Sequence, residues 1–149
     1  IISLALLFLS IRFDKVVGLI ILTPFIGALT AFLVFNKYPS RAFPGDVGTF
    51  GMGSVIACCA VLADFERAVF VMFIPHIVNA ALFFIGKAKG DEPPREAEMN
   101  PDGTLPAPSI WSLRCVVLRV CSMRERELVY ALWLIVATFA VVGTLVYGI

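Results

Sequence analysis

Apolar residues run along this chain in blocks long enough to cross a bilayer, and the polar connections between them alternate short and long. The opening run, IISLALLFLSI, ends in Arg12, Phe13, Asp14 and Lys15. Val16 to Phe35 then carries no charge at all. Val47 to Ala63 is rich in glycine and other small residues, Ala68 to Ile85 is interrupted by Pro75, His76 and Asn79, and Leu128 to Ile149 is again apolar. A spanning helix needs about 20 largely apolar residues. The pattern therefore predicts an all-α, polytopic transmembrane helical bundle with five membrane segments. The first of them reads as the tail of a helix that starts upstream, because no basic region precedes it and no small-residue cleavage site follows. Residues 1–149 are expected to form a single transmembrane domain, the C-terminal fragment of a larger chain.

The connections set the expected topology. Asp14-Lys15 and Asp64-Phe65-Glu66-Arg67 are tight turns, whereas 36–46 and 86–127 are long. If the segments cross in series, the two turns share one side and the two long connections the other. Nine of the twelve Lys and Arg residues fall on the long-connection side, which the positive-inside rule assigns to the cytoplasm. Residues 87–127 are thus expected to be a cytoplasmic loop. Within it, Ile110 to Met123 carries Arg114 and Arg119, too short and too charged to span, and suits an amphipathic helix that is either interfacial or cytoplasm-projecting.

Composition agrees with this reading. The chain is 60% hydrophobic and 15% charged, against roughly 45–50% and 25% for soluble domains. A net charge of +1 points to no nucleic-acid partner. Cys58, Cys59, Cys115 and Cys121 form no Cys-x-x-Cys pair, and His76 is the only histidine; reduced thiols packing as small apolar groups are expected, not a zinc site.

The segment with chemical content is NKYPSRAFPGDVGTFGMG, residues 36–53. Asp46 stands where a loop enters a membrane helix. A carboxylate there is favoured by the helix dipole and by free N–H groups, and a plain N-cap is one reading of it. The other is a ligand site. Gly45 and Gly48 remove bulk around the carboxylate so that a phosphate can approach the backbone, Lys37 and Arg41 bring positive charge, and Phe43 offers a ring for base stacking. A hard oxygen donor such as Asp suits magnesium, which shares its shell with substrate phosphates. Thr49 and Gly53 make a small-xxx-small pattern with Gly45, expected to let helices approach. His76 and Asn79 share a helix face and are expected to form interhelical hydrogen bonds. Arg114 and Arg119 are expected at lipid headgroups, and Trp111 and Trp133 in packing or interfacial positions.

The same run resembles the signature of the polyprenyl-phosphate N-acetylhexosamine-1-phosphate transferase family. Its Asn-x-Tyr-Pro-Ser-Arg part is similar to the dolichyl-phosphate GlcNAc-1-phosphate transferases of archaea and eukaryotes, and its Gly-Asp-Val-Gly part to bacterial members. The likeness extends through Phe73-Ile-Pro-His-Ile-Val-Asn79 and Arg124-Glu-Arg-Glu-Leu128. It implies transfer of a GlcNAc-1-phosphate or related sugar phosphate from a UDP-N-acetylhexosamine to a polyprenyl or dolichyl phosphate, releasing UMP, the first step of lipid-linked oligosaccharide synthesis. It implies Mg2+, with Mn2+ as an alternative, held by Asp46 as the catalytic metal ligand, with Phe43 stacking on uracil and Arg95 contacting the diphosphate or sugar. The family's paired aspartates and the asparagine completing its metal site would lie upstream of Ile1; this chain has no Asp-Asp pair. The expected location is the cell membrane of a prokaryote or the endoplasmic reticulum of a eukaryote, with the active site cytoplasmic and a homodimer compatible. Two other classes compete: a transporter or channel segment, which would gather polar groups near the midplane, and a structural subunit with a degenerate site.

Overall fold

The computed structural model describes residues 1–37, 39–90, 105 and 110–148, and among these the only regular structure is helical. The helices are α1 (Ile2–Arg12), α2 (Val16–Asn36), α3 (Gly45–Leu62), α4 (Glu66–Met72), α5 (Ile74–Ala88), α6 (Leu113–Val120) and α7 (Glu125–Tyr147). Of these, α2, α3 and α7 are long and apolar enough to cross a membrane, and α4 with α5 makes a fourth crossing if the pair is taken as one broken span. The 11-residue α1 is shorter than a span. Large apolar side chains such as Ile20, Phe50, Phe70 and Leu134 stand exposed on these helices, as expected where lipid replaces water. The chain is a multi-pass membrane protein.

The segment read as one span over Ala68 to Ile85 is broken at Phe73. Pro75 is the cause: it lies in the first turn of α5 and is buried. A proline there has no N–H to give the preceding turn and its ring would clash with the carbonyl four residues back, so a new helix starts where an old one would have continued.

The chain divides into two compact units, Ile1–Val71 with Ala140–Ile149, and Met72–Phe139. In the first, α1 packs on α2 and α2 on α3. Two turns with the same design close the hairpins. Asp14 (φ 52) and Asp64 (φ 59) both adopt the left-handed conformation, and the following N–H of Lys15 or Phe65 returns to the carbonyl of Ser10 or Ala60. This is the Schellman closure, here with Asp in place of the usual glycine. Lys15 Nζ donates to Asp64 Oδ2 at 2.7 Å, which raises the pKa of the lysine. The ring of Tyr147, from the end of α7, meets Phe13 and Phe65 edge-on at 4.9 and 5.0 Å. The two short turns therefore share one end of this unit, as the alternation of connections predicted. The loop from α2 to α3 is at the other end, about 27 Å away along the 18 residues of α3.

In the second unit, α6 packs on α5. Ser112 caps α6 by accepting from the Cys115 N–H. The N–H of Arg124 donates to the Glu127 carboxylate at 2.9 Å, one half of a capping box at the start of α7. All four cysteines are free thiols.

The α1–α2 contact depends on Gly18. A methyl built there would lie 2.2 Å from Ser10 Oγ and 3.5 Å from Phe65. Gly18→Ala should lower stability by about 1–3 kcal/mol through overpacking, measured by thermal denaturation in detergent. Adding Ser10→Gly should recover part of that loss; a strictly additive double variant would show that the helix crossing is not what Gly18 serves.

Candidate functional site

The site is built at the point where α2 ends and the chain turns back into α3. Lys37 N–H still reaches the Leu33 carbonyl, and Arg41 N–H then donates to Phe35 O at 2.8 Å. Asn36 Nδ2 donates to Ala42 O at 2.8 Å, and Ser40 Oγ to the same oxygen at 3.1 Å. These bonds fold the loop onto the helix that precedes it. Asn36 stood in the quoted motif without a role, and its function as the tie of this loop was missed. The available signal was an amide at the last helical position before a proline-rich connection, where side chains close turns on the backbone.

From Pro44 the chain enters α3 through Gly45, whose φ of +58° lies in the left-handed region. Among the described residues no atom lies within 4 Å of a methyl built there, so the backbone, not crowding by them, requires glycine. Asp46 follows in the first turn of α3. It is not the N-cap: Pro44 occupies that position and no side chain caps the helix. The plain-cap reading of Asp46 is therefore corrected. A proline at the cap and a left-handed glycine after it carry the chain in, and the carboxylate falls two positions too late to serve. Asp46 is exposed, and among the described residues its carboxylate has no hydrogen-bond or ion-pair partner. Its backbone carbonyl and that of Gly45 each accept from Thr49 Oγ1 at 3.0 Å. Phe43 is 80% exposed, and Arg41 is exposed as well.

The structure thus brings Arg41, Phe43, Gly45 and Asp46 onto one loop-to-helix turn. Arg95 lies outside the described residues. Among those described, no group of three or more His, Cys, Asp or Glu side chains could hold a metal ion. A single free carboxylate still fits magnesium, which commonly takes one or two carboxylates, several waters and substrate phosphates.

The other sequence candidates have the following surroundings. Among the described residues no atom lies within 4 Å of a methyl at Gly45 or Gly53, so these two glycines of the small-xxx-small pattern do not serve a close helix contact there. Close approach occurs instead at Gly86, where a methyl would lie 2.4 Å from Trp111. Asn79 Oδ1 accepts from the Leu113 N–H at 2.9 Å, the expected interhelical bond. His76 lies beside Phe73, ring centroids 5.4 Å apart, and Trp133 is edge-on to Tyr130 at 6.1 Å.

Comparison with known proteins adds the following. Residues 1–64 match glycosyl transferase family 4, a stretch that contains the whole turn around Asp46. A protein of Methanocaldococcus jannaschii described as a glycosyltransferase is 36% identical over 76% of this chain and 38% of its own length. One of Saccharolobus solfataricus described as a UDP-N-acetylglucosamine–dolichyl-phosphate N-acetylglucosaminephosphotransferase is 32% identical over 86% of this chain and 39% of its own. A Dictyostelium discoideum enzyme of the same description is 39% identical over 42% of this chain and 15% of its own. The chain thus spans about two fifths of the length of the archaeal relatives. No solved structure matches.

The backbone at Gly45 gives the site its own test. Gly45→Ala should cost about 1–2 kcal/mol through left-handed strain alone, read from thermal unfolding. Gly45→Asn should cost less, because Asn tolerates that conformation. Equal losses would mean that the left-handed turn is not what glycine provides.

Proposed function

We propose that this chain, whose residues 1–64 match glycosyl transferase family 4 and which resembles a described UDP-N-acetylglucosamine–dolichyl-phosphate N-acetylglucosaminephosphotransferase over 86% of its length, is the membrane part of an enzyme that transfers GlcNAc-1-phosphate from UDP-GlcNAc to a dolichyl or polyprenyl phosphate. The observation that carries this reading is Asp46: an exposed carboxylate without a partner among the described residues, in the first turn of α3, inside the stretch that matches the family. The described names of the S. solfataricus and D. discoideum relatives support the donor and acceptor. A transport pathway is less well supported, since Asn79, a polar side chain within this apolar run, is engaged by α6.

The chemistry asked of the protein is positioning and neutralisation of charge. Asp46 would hold Mg2+, which when bound offsets the diphosphate charge and acts as a Lewis acid. Arg41 adds positive charge along the same loop. The open space at Gly45 leaves the N-terminal N–H groups of α3 accessible to a phosphate, as helix N-termini generally are. Phe43 presents an uncovered ring to the uracil. In the transfer, an oxygen of the acceptor phosphate bonds to the β-phosphorus of the donor, the bond from that phosphorus to the UMP oxygen breaks, and UMP leaves. The bias of Lys and Arg supports a cytoplasmic position for the 37–44 loop, which suits a nucleotide-sugar donor.

Two substitutions test the reading in the complete enzyme, assayed by transfer of labelled sugar phosphate to a prenyl phosphate. Asp46→Asn should leave thermal stability within about 1 kcal/mol, since only the helix-dipole interaction is lost. Turnover should fall about 10²–10³-fold, corresponding to an electrostatic loss of about 3–4 kcal/mol, with an altered magnesium dependence. A stable Asp46→Asn enzyme with near-normal turnover would sink the assignment.

Phe43→Ala should weaken UDP-sugar binding by about 1–3 kcal/mol, the range for stacking of a base on an aromatic ring. Acceptor affinity should change little. Equal loss toward both substrates would assign Phe43 to the fold instead.

A further inference from the structure

The short helix α6 has its faces arranged the opposite way from a soluble amphipathic helix. At 3.6 residues per turn, Leu113, Val116, Val117 and Val120 fall within one sector of about 100°. The opposite sector holds Cys115 and Leu118, flanked by Arg114 and Arg119. The side buried in the chain is the second: Cys115 and Leu118 are 0% and 4% exposed. The all-aliphatic side is the less covered one. Val120 is 85% exposed, and Leu113, Val116 and Val117 are half-buried.

The contacts with α5 fix the level of this helix. Trp111 packs on Gly86 near the C-terminal end of α5, and Lys89 Nζ lies 4.9 Å over its ring. Two residues later, the N–H of Leu113 is held by Asn79. Gly86 and Asn79 are separated by about 10 Å along the axis of α5. The chain therefore descends beside the apolar stretch of α5 before α6 begins. At a helix start in hydrocarbon the free N–H groups find no water. Two of them have partners here, Leu113 in Asn79 and Cys115 in Ser112. After Val120 only four residues precede α7, which opens on the charged Glu125-Arg126-Glu127. The C-terminal end of α6, with Arg119, is thus back at headgroup level.

We propose that α6 is a re-entrant membrane-surface helix that binds anionic phospholipid, its Leu113–Val116–Val117–Val120 face in the acyl region and Arg114 and Arg119 at the lipid phosphates. Aliphatic exposure alone would fit any lipid. The charge pattern selects an anionic one: the two arginines on the rims of the outward face are long enough to reach the phosphates while their stems cover apolar surface, and Lys89 stands above them on the Trp111 ring. The inference does not depend on the transferase reading, and its test has no activity readout.

The experiment places a fluorescent probe on Val120→Cys in a Cys58→Ala/Cys121→Ala background, which leaves only the buried Cys59 and Cys115. The protein is reconstituted in bilayers containing, at equal mole fraction, spin-labelled phosphatidylserine or spin-labelled phosphatidylcholine. Both lipids should quench the probe, and phosphatidylserine should do so severalfold more strongly, up to about fivefold per arginine engaged. Arg114→Gln/Arg119→Gln should equalise the two quenchers. A probe quenched by neither lipid would overturn the membrane placement. Equal quenching in the protein with both arginines would overturn the recognition of anionic lipid, and that comparison stands even if the double variant fails to fold.

Discussion

In hydrocarbon every backbone N–H and C=O has to find its partner inside the chain, because no water is there to supply one. The described architecture follows from this requirement. It makes the spans helical, and it makes their ends the expensive places. Turns at the bilayer edge are closed by the Schellman bonds from Lys15 and Phe65, and the start of α6 is closed by the Asn79 amide. The polar residues lodged in apolar runs are accordingly best understood as partners for the backbone. Ser10 is a further instance: fully buried, its hydroxyl donates to the Leu6 carbonyl at 2.8 Å.

The same requirement gives the candidate site its character. Where α2 gives way to α3 the backbone is wet, and the loop there uses Asn36 and Ser40 to close on itself. With those bonds made locally, the side chains of Arg41, Phe43 and Asp46 are left uncommitted. A carboxylate that neither caps its helix nor pairs with a described cation has no evident structural duty. That is what separates Asp46 from Asp64, which has the same chemistry but is consumed by Lys15.

The apolar blocks made the spans legible, and the observed starts and ends of α2, α3 and α7 fall within three residues of the blocks. Hydropathy counts residues and is blind to backbone conformation: Pro75 was legible as an interruption of one block, but not as the point where the chain divides into α4 and α5. Nor did it show that Asp14 and Asp64 adopt left-handed conformations, a choice made by closure of the turn. The motif around Asp46 pointed to the site, but its composition could not tell a capping carboxylate from an unengaged one. That distinction rests on Pro44 and Gly45 taking the entry to the helix. Small residues were legible as small, though not as to what they adjoin: Gly18 and Gly86 lie against Ser10 and Trp111, while Gly51 and Gly53 face open space.

The Tyr147 ring, set between Phe13 and Phe65, has a consequence for biogenesis. Phe13 and Tyr147 lie far apart in the sequence, so this aromatic cluster cannot close until α7 has left the ribosome and entered the bilayer. The hairpin of α1 with α2 needs only local contacts and can form as it emerges, whereas contacts between distant residues form last. Until then the buried face of Phe65 is uncovered. A chain that stalls before α7 would therefore leave the ring face of Phe65 that Tyr147 meets uncovered at the membrane edge, and insertion of α7 would be what covers it.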